Sequence, residues 1–228
     1  MWKFIMFLFL SLFVLSSNVA QSSSAGYRGA EFFAMTGLHL RNTSSLNKDL
    51  DHYDLPQLNG SLIGTGIGGG IFMKNFFIGG QGMIQFSSGT SNDFYEADLF
   101  EGYGMLQGGY VLANLPSVAF YPTLGIGGGG TSIRLEEGSS YDDIDLEFLA
   151  DSDIHTSYML LDIGVNGDFY FGPGGRKKFL IGLSAGYQYS PVSKAWKYRD
   201  RELSDFTKFD LDGFYARIKL GLFFSGND

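Results

Sequence analysis

The sequence predicts an all-β fold, an eight-stranded antiparallel up-and-down barrel that crosses a membrane on its strands. Three observations carry this. Eight stretches between Tyr27 and Phe224 alternate in hydrophobicity with a two-residue period. The connections between them alternate strictly between short and long. The chain opens on a secretory leader. An even number of such strands behind such a leader is the signature of an outer-membrane β-barrel.

The leader comes first. Lys3 supplies the positive start, and Phe4–Leu15 is apolar throughout except for Ser11. Small and polar residues follow at Ser16–Ala20. Cleavage after Ala20 leaves Gln21 as the first mature residue, and a cut after Ala25 is the alternative. The apolar run falls short of the ~20 residues that a spanning helix needs. Residues 1–20 are therefore read as a cleaved signal peptide and 21–228 as one barrel domain.

The strands are placed near 27–40, 61–73, 76–87, 100–113, 117–134, 156–171, 178–190 and 212–224. In the sixth, Met159, Leu161, Ile163, Val165, Phe169 and Phe171 share one face, while Asp162, Asn166 and Asp168 lie on the other. In the eighth, Phe214, Ala216, Ile218, Leu220, Leu222 and Phe224 form an unbroken apolar face opposite Tyr215, Arg217 and Lys219. Lys74-Asn75, Asn114–Pro116 and Gly172–Lys177 read as tight turns. Residues 41–60, 88–99, 135–155 and 191–211 read as long polar loops. In bacterial barrels the short turns are periplasmic and the long loops extracellular. A soluble carrier barrel has the reverse polarity, with an apolar lumen and a polar outside. The uniform apolar faces here belong outside, against lipid.

Composition narrows the function. The chain has no Cys, which excludes disulfides, thiolate metal sites and a lipid anchor on cysteine. Lys and Arg total 16 against 24 Asp and Glu, and loss of Lys3 with the leader leaves 15 against 24, a net charge of −9. Such a chain has no electrostatic case for nucleic acid.

By this architecture the chain resembles the OmpA/OmpX-type eight-stranded outer-membrane barrels over nearly all of its mature length. The resemblance implies the outer membrane of a Gram-negative cell envelope, contact with lipid and lipopolysaccharide, a monomer, and biogenesis by the barrel-assembly machinery. Lys219, Gly221, Phe223 and Phe224 of the last strand resemble the C-terminal signal that this machinery reads, although Ser225–Asp228 follow it.

The polar face, turned inward, supplies Glu31, Glu101, Asp162, Asp168, Arg217 and Lys219, an ion-pair network for the lumen in which Glu31 is the first partner expected for the two cations. Buried charges are costly unless paired, and eight strands enclose a space that side chains can largely fill. The expected function is structural or surface-interacting, through the outer loops, with a plugged lumen, no cofactor and no catalysis. Gly64, Gly66, Gly68 and Gly70, with Gly125, Gly127 and Gly129, keep a small channel or ligand-binding lumen open as the alternative. A lipid A-modifying enzyme ranks third. His155 and Ser157 have a spacing that resembles PagL-type lipid A deacylases, but Tyr158 stands where that family has Asn. The two GxGxxG matches, at 64–69 and 125–130, open no helical pattern and read as strand glycines rather than a nucleotide loop. The acidic loop 135–155 carries eight carboxylates, which could bind calcium, but it has no EF-hand spacing and reads as a solvated loop.

Overall fold

A computed structural model describes residues 27–87, 89–91, 95–115, 117–137, 152–172, 176–198, 201–202 and 212–226. Eight long strands close into one barrel: β1 (Tyr27–Arg41), β2 (Ser61–Lys74), β3 (Phe76–Ser87), β4 (Tyr95–Tyr110), β5 (Val118–Glu137), β6 (Ser152–Phe171), β7 (Lys177–Ser193) and β8 (Gly213–Ser225). Each pairs antiparallel with its neighbour in the chain, and β8 pairs with β1 to close the ring. Among the described residues no helix is long and apolar enough to cross a membrane. The leader, both candidate cleavage sites and residues 138–151 of the acidic loop lie outside the described residues.

The pleat sorts the side chains. On β1, Phe32 is 71% exposed while Glu31 beside it is 1% exposed. Ile67, Leu106, Leu124, Leu183 and Phe214 continue the exposed apolar surface around the ring, and Glu101, Asp162 and Asp168 are buried inside. A soluble monomer rarely exposes so much contiguous apolar surface. Apolar outside and polar inside is the build of an outer-membrane barrel. A one-residue slip of β8 would turn Arg217 and Lys219 to lipid, at about 2–4 kcal/mol each near the midplane.

Several strands run further than the alternation predicts. β4 begins at Tyr95 rather than 100, β5 reaches Glu137 rather than 134, and β6 begins at Ser152 rather than 156. The reason lies in the polarity of these ends. Leu99, Ile133, Leu135 and Ile154 point inward and are buried, whereas Arg134 and His155 on the same strands are exposed. Here the barrel leaves the lipid and takes the polarity of a soluble protein. A pattern sought as apolar-out therefore stops at the phase change.

The loop at 41–60 also differs from expectation. It holds a helix, α1 (Ser44–His52), with Leu46 and Leu50 buried at a four-residue spacing. Asn47 anchors it: its Oδ1 accepts from the Leu58 amide at 2.7 Å, and its Nδ2 donates to the Leu58 carbonyl at 3.1 Å. Leu46, Leu50 and Leu58 join the apolar core at the loop end together with the fully buried Trp196. After β7, Lys197–Tyr198 pairs with Ile154–His155 of β6 and with Arg201–Glu202, so the fourth long loop adds strand above the membrane.

Candidate functional site

The lumen contains the predicted polar residues in two layers. All six, Glu31, Glu101, Asp162, Asp168, Arg217 and Lys219, are buried. Period-two alternation sets which way each one points. Their pairing follows from the register between strands.

In the layer nearer the turns, Lys219 Nζ lies 2.6 Å from Asp168 Oδ1 and 2.9 Å from Oδ2. It also donates to Asn166 Oδ1 and to the Tyr121 hydroxyl, each at 3.3 Å. Tyr121 donates to Asp168 Oδ2 at 2.5 Å and stands 3.4 Å from Glu31 Oε1. Tyr170 donates to Glu31 Oε2 at 3.2 Å. Aromatic rings floor this layer: Phe223 packs on Tyr170 at 4.6 Å and Phe77 on Tyr121 at 5.1 Å between centroids.

In the layer nearer the loops, Arg41 Nη2 donates to Glu101 Oε1 at 2.7 Å and to Gln188 Oε1 at 2.9 Å. Tyr158 donates to the same Glu101 oxygen at 2.6 Å. Arg217 donates through Nε to His39 Nε2 at 3.1 Å and through Nη2 to the Tyr103 hydroxyl at 2.7 Å, and its guanidinium lies 3.7 Å over the Tyr215 ring. Since His39 Nε2 accepts, its ring proton belongs on Nδ1. Asp162 accepts from Tyr215, Gln188 and Gln107 at 3.1, 3.2 and 3.3 Å.

The expected pairing of Arg217 with Glu31 is corrected by this geometry. β1 and β8 are neighbours, but Glu31 stands opposite Phe223 and Arg217 opposite Gly37. The six-residue offset puts them about 20 Å apart along the strands. Lys219 meets Asp168 instead, and among the described residues no carboxylate lies within ion-pair distance of the Arg217 guanidinium. Neutralising both, Glu31→Gln with Arg217→Met, is expected to be additive within about 0.5 kcal/mol. A double-mutant cycle read by urea unfolding in lipid vesicles checks this, and a larger coupling would contradict the register.

Arg41, Tyr121 and Gln188 are lumen partners that the sequence pattern does not single out. The hydropathy pattern places Arg41 in the first loop, although it continues the inward face of His39 at a two-residue step. Tyr121 shares the inward face of β5 with Gly125, Gly127 and Gly129, and its position there was the available signal. Among the described residues the buried lumen charges are three cations, Arg41, Arg217 and Lys219, against four acids. The interior is thus close to neutral.

The glycine-lined faces abut side chains. A Cβ on Gly68 would lie 2.6 Å from the Phe33 ring, one on Gly70 2.3 Å from the Phe77 ring, and one on Gly127 2.6 Å from Met105 Cβ. His155 and Ser157 point outward, opposite to the buried Asp162 and Asp168. Both GxGxxG segments are strand, in β2 and β5. Lys219, Gly221 and Phe223 face inward and Phe224 outward, with Phe223 2% exposed.

No family model and no curated relative matches the chain. Solved structures similar to it include Ail, the attachment invasion locus protein of Yersinia pestis, at 14% identity over 87% of this chain and 97% of that one, with a TM-score of 0.43. Neisserial surface protein A matches at 13% identity over 87% of this chain and 99% of that one, with a TM-score of 0.43. The outer membrane protease OmpT from Escherichia coli matches at 11% identity over 90% of this chain and 99% of that one, with a TM-score of 0.38.

Proposed function

We propose that this chain is a plugged, non-catalytic outer-membrane barrel that acts through its loop end. The observation that carries this reading is the occupation of the space over the inward glycines by Phe33, Phe77, Met83 and Met105. The engagement of the lumen charges with one another and with buried Tyr, Gln and His side chains supports it further, since these contacts cross the interior from wall to wall. Lipopolysaccharide is the proposed partner of the loop-end wall, and the barrel-assembly machinery that of Lys219, Gly221, Phe223 and Phe224 before folding. The mature chain is proposed to act as a monomer.

Planar-bilayer recording of the purified mature chain is the test. No reproducible conductance steps are expected. Steps that Lys219→Met or Arg217→Met alters in size would establish the channel alternative and overturn this reading. Lipid A from cells making the chain is expected to keep its mass, with or without His155→Ala.

A further inference from the structure

We propose that the turn end of the barrel carries a basic collar that selects anionic glycerophospholipid headgroups in the adjoining leaflet. The inference rests on the membrane-barrel reading and goes beyond it. Arg28 at the start of β1, Lys74 at the end of β2, and Arg176 and Lys177 at the entry to β7 are all exposed. They sit on the contiguous run β7–β8–β1–β2. Lys177 stands opposite Phe224 of β8, the Ser225 amide donates to the Arg176 carbonyl, and the Gly226 amide donates to that of Arg28. Strands about 4.8 Å apart place the four cations along about 15 Å of rim.

Among the described residues this rim has no exposed acid. The carboxylates nearest to it, Glu31 and Asp168, are turned into the lumen and hydrogen-bonded there. Asp228 lies outside the described residues. The loop end is different, with Glu96 and Glu202 mingled with Arg134 and Lys197. Among the described residues, one-signed exposed charge is thus confined to the turn end.

Depth argues for lipid over a soluble acidic partner. Exposed aromatics sit one step into the barrel from the cations: Phe76 packs on Tyr110 at 5.4 Å, and Phe171 on Phe179 at 5.7 Å. Such a girdle marks the membrane interface. Lys177 Nζ lies 6.0 Å from the centre of the Phe224 ring, a placement in which a lysine stem can cover apolar surface while its ammonium reaches the headgroups. Anionic headgroups are favoured about fivefold by each cation held near them.

The test inserts the mature chain into phosphatidylcholine vesicles and measures the boundary occupancy of spin-labelled phosphatidylglycerol against spin-labelled phosphatidylcholine. The expected result is a preference of about fivefold or more for phosphatidylglycerol, falling as salt rises. The quadruple variant Arg28→Gln, Lys74→Asn, Arg176→Gln and Lys177→Gln should lose it. Asn keeps the left-handed backbone of Lys74, whose φ is 60°. A loop-end control, Lys194→Gln with Lys197→Gln, should retain it. An equal distribution in the wild type, or a preference kept by the quadruple variant, overturns the collar. So does collar-dependent binding of soluble poly-glutamate without a phosphatidylglycerol preference, which would point to an acidic macromolecule. Failure to insert into neutral vesicles sinks the barrel reading and the collar together, whereas insertion without preference sinks the collar alone.

Discussion

Truncating Glu101 to alanine is expected to lower the unfolding free energy by about 3–5 kcal/mol. Its carboxylate meets Arg41 twice, Nη2 to Oε1 at 2.7 Å and Nε to Oε2 at 3.3 Å, and both side chains have no exposed surface. Tyr158 donates to it as well. Removing the acid takes the Glu101 counter-charge away from a guanidinium held in a low-dielectric interior. Replacing both partners, Arg41→Met with Glu101→Leu, removes the guanidinium as well and is expected to cost less than Glu101→Ala by itself. Urea unfolding in lipid vesicles measures the cycle. If the single losses sum to that of the double variant, the pair contributes no coupling and the lumen is not organised around it.

A second large effect separates the two sides of the wall. Gly127 and Gly104 lie on adjacent strands, and neither has a left-handed φ. A Cβ on Gly127 would lie 2.2 Å from the Gly104 carbonyl oxygen and 2.7 Å from Met105 Cα. Both are backbone atoms, so nothing flexible can move aside. Gly127→Ala is expected to cost about 1–3 kcal/mol through overpacking. A Cβ on Gly104 points to the lipid side and meets nothing nearer than the Gln81 carbonyl oxygen at 3.9 Å. Gly104→Ala is expected to gain about 0.4–1 kcal/mol by restricting the unfolded chain. The same unfolding assay decides both. A neutral Gly127→Ala would mean that the lumen has room over β5, and would revive the channel.

The alternation of residues along each strand is local, and it alone determined which side chains turn inward. Glu31, Glu101, Asp162, Asp168, Arg217 and Lys219 could be named that way because successive side chains on a strand point to opposite faces. Lipid against the outer wall also makes the apolar face of β8 unambiguous, so inside and outside were legible as well. Partner choice was not. It depends on the offset between strands, which follows from how the closed ring is sheared. That offset carries Arg217 past Glu31 to His39 and Tyr103, and seats Lys219 on Asp168. Arg41 was hidden because it stands where a strand runs into α1, and Leu46 and Leu50 carry no strand period to announce what they cover. The loop end required the tertiary structure for the same reason. Above the lipid the solvent on the outer wall changes from hydrocarbon to water, so the same two-residue period encodes the opposite inside and outside.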